Sequence, residues 1–369
     1  MPRFHLALLL AFIVGCQQNT SNNIIYSSTF DDIEYFGEDS FLLEGTDIPD
    51  SLKENKYDRL PASYKEIVRK PVWDLSKNSA GLSIRFLSNS SVITVKWELL
   101  NDFSMGHMPD TGIKGVDLYF KNNNDWQYIN TGIPLGFKNE YRLIDNMDNE
   151  LREYRMFLPL YDGLKSIEIG IDNSSFIRKP KTSEKKPIIF YGTSITQGAT
   201  ASRPGMAHTN IISRKLDRDV INFGFSGNGR MEQPISKLIS ESNPIFYVIE
   251  CMPNMSPDMI TSNTIPLVDT IRNKHPNTPI ILVDLFNSPL TALDNNIDKS
   301  RNEMNNALKT EYEKMIDNGY DNIIYLESRN SLGDDFEGTV DAVHFTDIGF
   351  NRYSNFLIKK FKEHKLIEN

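Results

Sequence analysis

Cysteine is nearly absent: Cys16 and Cys251 are the only two in 369 residues. That excludes a disulfide framework as the source of stability, and any site built from several thiolates. Histidine is scarce as well, with six in the chain. No HExxH helix and no paired Cys/His spacing occurs, so the motifs call for no metal and no other cofactor. An excess of positive charge is also lacking. The net charge is −9, which argues against nucleic acid as a partner, since phosphate binding draws on clustered Lys and Arg. After the first sixteen residues no apolar run approaches the ~20 residues of a membrane-spanning helix. No internal repeat is visible, and nothing specifies an oligomeric state.

The N-terminus reads as a processing signal. A basic start, MPR, is followed by the apolar run FHLALLLAFIV and by Gly15 before Cys16. Ile13-Val14-Gly15-Cys16 resembles a bacterial lipoprotein signal box, in which the cysteine becomes the lipidated first residue. The competing reading is an ordinary secretory signal with an incidental cysteine. Either way residues 1–16 predict export. The lipoprotein reading adds membrane attachment through the anchor alone, facing the periplasm or the cell surface. Residues 17–24 are polar and predict a tether.

With 39% hydrophobic and 11% aromatic residues, stability must come from burial. The length suggests two domains, at roughly 100–200 residues each. From 25 to 175 the period is two. Leu82, Ile84 and Phe86 alternate with Ser83 and Arg85, and Ile93, Val95 and Trp97 alternate with Thr94 and Lys96. Further short runs lie at Gly115–Phe120, Trp126–Ile129, Arg155–Leu160 and Ser166–Ile171. This pattern predicts an all-β, jelly-roll-like sandwich. Residues 176–185 are basic, hold Pro180 and read as a linker.

From 187 to 369 the rhythm changes. Unbroken apolar strands at 187–191, 220–223, 245–249, 279–283 and 322–326 alternate with helix-length segments at 205–216, 257–274, 301–318 and 347–364. Strands of that kind separated by helices predict a parallel sheet covered on both faces, an α/β/α three-layer domain.

Four loops at strand ends then stand out. In the first, Gly192-Thr193-Ser194-Ile195, bulk ends at Tyr191 and the small residues let the backbone bend, leaving Ser194 at a strand's carboxyl end. The second, Asn222 to Gly229 with its three glycines and the run Phe225-Ser226-Gly227-Asn228-Gly229, could aim backbone N–H groups at one point, or be an ordinary turn. The third holds Asn254, whose amide could donate, or whose side chain could cap the helix starting near Pro257. The fourth is Asp341-Ala342-Val343-His344, a spacing at which a turn sets the carboxylate on Nδ1 and leaves Nε2 free as a base. None of the other five histidines has an aspartate three residues before it.

In this order the four loops resemble the signature blocks of the SGNH (GDSL-like) hydrolase family, over about residues 187–365. The chain departs from the family at Thr193, where many members have Asp, and at Met252-Pro253-Asn254, where many have Gly-x-Asn-Asp. An α/β-hydrolase would need G-x-S-x-G, and position 196 is Thr. The resemblance implies a flavodoxin-like α/β/α fold. It also implies an acyl-ester hydrolase in which Ser194 attacks, His344 serves as base, Asp341 orients it, and Ser194, Gly227 and Asn254 form the oxyanion hole.

A β-sandwich ahead of such a domain, on an exported chain, is similar to carbohydrate acetyl esterases, which implies an acylated carbohydrate substrate. An esterase or lipase on lipids or small acyl compounds, and a non-catalytic glycan-binding lipoprotein, are the alternatives. Two weaker features complete the reading. The loop Met105–Gly112 could bring His107 and Met108 over the pocket, or be a plain surface loop. The acidic run Asp145–Glu150 lacks the glycine and spacing of a calcium loop and reads as solvated.

Overall fold

The alternation around Leu82 and Trp97 resolves into two antiparallel sheets that share one core. The computed structural model describes residues 32–368. The expected signal, Cys16 and the tether therefore lie outside the described residues. Ten strands make the two sheets: β1 (Ile33–Phe36), β2 (Leu42–Glu44), β3 (Ser83–Ser88), β4 (Ile93–Leu99), β5 (Val116–Asn122), β6 (Asp125–Gly132), β7 (Lys138–Ile144), β8 (Arg152–Phe157), β9 (Leu164–Asp172) and β10 (Ile177–Arg178). One sheet runs β1-β9-β4-β7. The other runs β10-β3-β8-β5-β6, with β2 added on β3.

Ile84 and Phe86, with Met156 beside Ile84 in the same sheet, share one core with Val95, Trp97 and Ile169 of the other sheet. Each such side chain contributes about 1.5–3 kcal/mol on burial, which matters in a chain whose described cysteine is free. Two details differ from the sequence reading. The edge strand β7 escapes the apolar pattern because only Asn139 and Leu143 are buried in it. The expected linker begins inside a sheet, since Ile177 and Arg178 pair with Ser88 and Leu87. The acidic run is tied by ion pairs, Asp145 to Arg142 and Asp148 to Arg152.

The second half contains β11 (Ile188–Gly192), β12 (Val220–Gly224), β13 (Phe246–Glu250), β14 (Ile280–Val283) and β15 (Ile323–Leu326), all parallel, in the order β12-β11-β13-β14-β15. The helices of the described residues are α1 (Lys70–Ser76), α2 (Asp110–Ile113), α3 (Ser194–Gln197), α4 (His208–Leu216), α5 (Gln233–Ile239), α6 (Pro257–Arg272), α7 (Asn295–Asp317) and α8 (Asp347–Glu363). Ile189, Tyr191 and Ile249 pack against α5, α6 and α7, whereas Ile188, Phe190 and Val248 pack against α4 and α8. The result is the three-layer α/β/α arrangement with flavodoxin-like strand order, whose ligand crevice lies where the order reverses. Here that is beside β11, whose Gly192 is level with Gly224 of β12 and Glu250 of β13. Helix α7 starts six residues before the expected Arg301 because Asp294 caps it, accepting from Asn296 and Ile297 N–H. Helix α5 has too short an apolar pattern to be read in advance. Among the described residues no helix is long and apolar enough to cross a membrane.

The two halves are not separate bodies: residues 33–368 belong to one compact unit. The second face of the six-stranded sheet is polar yet covered. Ser83 on it is fully buried, receives Arg155 Nε at 2.9 Å, and Arg155 lies 3.7 Å from Asp219 of the α/β layer. Residues 45–80 leave the sandwich and cross to the other half. The excursion is pinched at its neck, where a Cβ on left-handed Gly45 would stand 2.3 Å from Gly81 O. Its Leu60, Val72 and Trp73 join the core of Phe223, Phe225 and Leu238.

Arg59 goes deepest. Its guanidinium, over the Phe225 ring at 5.0 Å, donates to Gly224 O at 2.7 Å, Leu75 O at 2.7 Å, Asn78 O at 2.8 Å and Asn222 O at 3.2 Å. Burial pulls it down to about 9, so it remains charged at neutral pH. Arg59→Met keeps the apolar stem but orphans those carbonyls. Unfolding in urea should show a loss of about 3 kcal/mol or more; a loss below about 1 kcal/mol would mean the clasp is ornamental.

Candidate active site

The strand β11 stops at Gly192, and Thr193 caps the one-turn helix α3, accepting from Ile195 N–H at 3.3 Å. Ser194 is thereby left at the helix's first position, with 6% of its surface exposed. The turn is braced from below. Thr196 Oγ1 accepts from Thr193 N–H at 3.1 Å and donates to Glu250 Oε1 at 2.6 Å. Glu250 also accepts from His208 Nε2 at 2.8 Å on the same oxygen and from Tyr353 OH at 3.0 Å on the other.

His208 is fully buried among Phe190, Phe350 and Tyr353. Its Nδ1 has no partner among the described residues, so the neutral tautomer with the proton on Nε2 is the one that leaves no N–H unsatisfied. None of this network was read from the sequence. Its one signal was a glutamate closing a strand whose other residues, Phe246 to Ile249, are apolar.

The glycine loop folds over the same place. Phe225 N–H donates to Gly192 O at 3.0 Å, and Asn228 and Gly229 N–H both donate to Phe225 O, at 2.8 and 3.0 Å. Ser226 N–H reaches Gln197 Oε1 at 3.1 Å. Gly227 takes the left-handed φ of +67° with open space where a Cβ would stand, so backbone conformation rather than crowding selects glycine. Arg69 fastens the far side by donating to Asn228 Oδ1 at 2.7 Å while paired with Glu232.

Asn254 lies on the short turn after β13, and Gly229 N–H donates to its Oδ1 at 3.2 Å. That contact fixes the amide's orientation and turns Nδ2 away from the loop. The capping alternative does not hold: α6 is capped by Ser256, which accepts from Met259 N–H.

The fourth loop arrives from the other edge. Asp341 Oδ1 accepts from His344 N–H at 2.8 Å and Val343 N–H at 3.1 Å, while Oδ2 faces His344 Nδ1 at 2.8 Å. Ala342 takes a left-handed φ of +67° to make this tight turn, and Ser288 Oγ donates to its carbonyl at 2.9 Å. With the proton held on Nδ1 by the carboxylate, the Nε2 lone pair meets the Ser194 hydroxyl at 3.0 Å.

Burial pushes the Asp341 carboxyl up, but the His344 main-chain and ring donors and Val343 N–H outweigh it, and the net displacement is downward. Asp341 therefore stays ionised at neutral pH and to a lower pH than a free aspartate. Its contribution to holding this loop is present above the free carboxyl's value and is lost only as pH falls through the lowered one.

His107 and Met108 part company. His107 stands exposed at the mouth, its ring centroid 5.7 Å from that of His344. Met108 is 4% exposed and packs in the core with Ile113, Leu160 and Ile195. Their loop is pinned by Lys114, whose ammonium reaches Asp102 at 2.7 Å and Asp110 at 3.0 Å. Thr111 Oγ1 docks it onto the α/β layer by donating to Ser202 O at 2.6 Å. Cys251 is buried, and burial pushes its thiol up, so it is an inert core residue.

Residues 185–362 match the model of the GDSL-like lipase/acylhydrolase family, and residues 33–177 match that of the N-terminus of SGNH-type esterases. No match was found among curated proteins. Among solved structures, a protein of Bacteroides ovatus described as a GDSL-like lipase is 35% identical, with a TM-score of 0.87, over 91% of this chain and 99% of its own. The salicylyl-acyltransferase SsfX3 of a tetracycline biosynthetic pathway is 17% identical, with a TM-score of 0.75, over 91% of this chain and 98% of its own. The acetyl xylan esterase Est2A of the rumen bacterium Butyrivibrio proteoclasticus is 11% identical, with a TM-score of 0.55, over 91% and 100%. The last two share the fold. The match over the α/β half, and a 35% identical relative spanning both halves, mean that the chain belongs to the GDSL-like lipase/acylhydrolase family, the SGNH esterases.

Proposed function

We propose that this esterase removes acyl groups, acetyl above all, from a carbohydrate ester, with Ser194 as nucleophile. The observation that carries the reading is the hydrogen-bonded chain from Ser194 Oγ through His344 to Asp341, at 3.0 and 2.8 Å. His344 Nε2 takes the serine proton as Oγ adds to the ester carbonyl, and Asp341 holds the ring and offsets the charge of the imidazolium. The carbonyl oxygen, now negative, is met by the N–H groups of Ser194 and Gly227 and by the Asn254 amide. His344 then returns the proton to the departing alcohol, and water, activated by the same ring, releases the acyl group.

One observation favours a short acyl group on a sugar: the two-part architecture is shared with a structure described as an acetyl xylan esterase.

Hydrolysis of p-nitrophenyl esters from acetate to octanoate should be fastest on acetate and absent in Ser194→Ala, with acetate also released from acetylated xylan. Preference for octanoate would replace this reading by a lipid esterase. In the same assay Asp341→Asn should lower kcat by about 10⁴-fold, and Asn254→Ala by about 100- to 1,000-fold.

Glu250→Gln, which removes the charge that three donors meet and one of the two oxygens that accept them, should cost about 1–3 kcal/mol in urea unfolding. An unchanged midpoint would remove the brace from the account. We also propose that residues 1–16 export the enzyme and that Cys16 carries its lipid. Incorporation of labelled palmitate that is the same in Cys16→Ser as in the native chain would overturn that.

A further inference from the structure

The imidazole of His107 comes from the N-terminal half and takes no part in the proposed reaction, yet it faces the charge relay. One ligand atom each of His107, Asp341 and His344 lies within 4.8 Å of the others. We propose that these three side chains form a binding site for a divalent cation of the zinc type, and that the bound ion shuts the esterase off. The inhibitory half rests on the esterase reading above; the binding half does not.

The geometry suits two imidazoles on one ion. At the ordinary Zn–N distance of about 2.0–2.1 Å, two ligating rings have their centroids about 5–6 Å apart, and here the separation is 5.7 Å with the planes tilted by 52°. Tetrahedral donors stand about 3.3 Å from each other, so the three atoms need draw in by no more than about 1.5 Å. The site is open to solvent. His107 is exposed, and the side chains of Asp341 and His344 are 40% and 21% exposed, so an ion can enter with a water in its remaining position. His107 is nonetheless placed by a firm support, the loop that Lys114 and Thr111 fasten.

The donor set selects the metal. Two imidazoles and one carboxylate suit Zn²⁺, Ni²⁺ or Cu²⁺, whereas Mg²⁺ and Ca²⁺ prefer oxygen ligands throughout. Occupation stops the chemistry whichever ring nitrogen of His344 is taken. At Nε2 the ion holds the lone pair that would accept the serine proton. At Nδ1 it displaces the proton and the Asp341 contact, which leaves Nε2 as the protonated nitrogen and no base toward Ser194.

Calorimetry with zinc chloride in a non-chelating buffer tests binding, using Ser194→Ala, which keeps all three ligands and cannot turn over substrate. One zinc should bind per chain, and adding His107→Ala should weaken it by at least ~10- to 100-fold, the loss seen even when a mere supporting partner of a ligand is removed. In the native enzyme zinc should abolish p-nitrophenyl acetate hydrolysis, EDTA should restore it, and magnesium at the same concentration should do nothing. The half-inhibiting zinc concentration should rise in His107→Ala by the same factor as the dissociation constant. No binding heat, or equal zinc affinity with and without His107, overturns the site. Zinc that binds through His107 but leaves hydrolysis untouched overturns the inhibition. If the native chain hydrolyses no ester at all, calorimetry still decides the site, and the two readings fail separately.

Discussion

The carboxylate of Glu250 is the point from which the site hangs. It ends a central strand of the parallel sheet, and its oxygens accept from Thr196 on the Ser194 turn, His208 on α4 and Tyr353 on α8. Four elements from one layer and the sheet are thereby referred to one buried anion. A buried charge is tolerated only when its acceptor sites are filled, so each of these donors is held in place by the cost of leaving. The serine turn inherits that rigidity through Thr196. This also accounts for threonine at the position where an α/β-hydrolase elbow would carry glycine: its hydroxyl links the turn to the carboxylate.

A second set of contacts sets the glycine loop from the opposite side, and it comes from the N-terminal half. Arg59 reaches under Gly224 and Arg69 holds Asn228, so the segment 45–80 belongs to the α/β layer by its packing, though it lies between two strands of the sandwich in sequence. The buried polar face of the six-stranded sheet, with Ser83 and Arg155 turned toward Asp219, makes the same point. In this chain the β half does more than precede the esterase half. It clasps the loop on one side of Ser194 and brings His107 to the other.

Much of the architecture was legible because burial leaves a periodic trace. The strands β11 to β15 read as apolar runs since both their faces are covered, and β3, β4 and β9 read as alternations since their inner face is apolar. The misses have physical reasons too. β7 is a polar edge, α5 is only two turns long, and the start of α7 depends on a cap rather than a pattern. Ser83 and Arg155 look like solvent-facing alternates because polar residues at a wet surface and at a polar interface have the same sequence signature. Met108 and His107, neighbours in one loop, could not be told apart until the fold buried one and exposed the other.

What the sequence determined by itself is the list of chemically able groups and their order along the chain: Ser194 after a strand, a glycine loop, Asn254, and Asp341 three residues before His344. The Asp–His contact follows from local spacing, which a tight turn can close unaided. Only the tertiary structure decided the rest. The 3.0 Å meeting of Ser194 and His344 spans 150 residues. The orientation of the Asn254 amide depends on Gly229, and the brace on the Ser194 turn depends on Glu250. Such contacts leave no periodicity and no fixed spacing, because sheet order and the packing of helices, rather than proximity in the chain, bring the partners together.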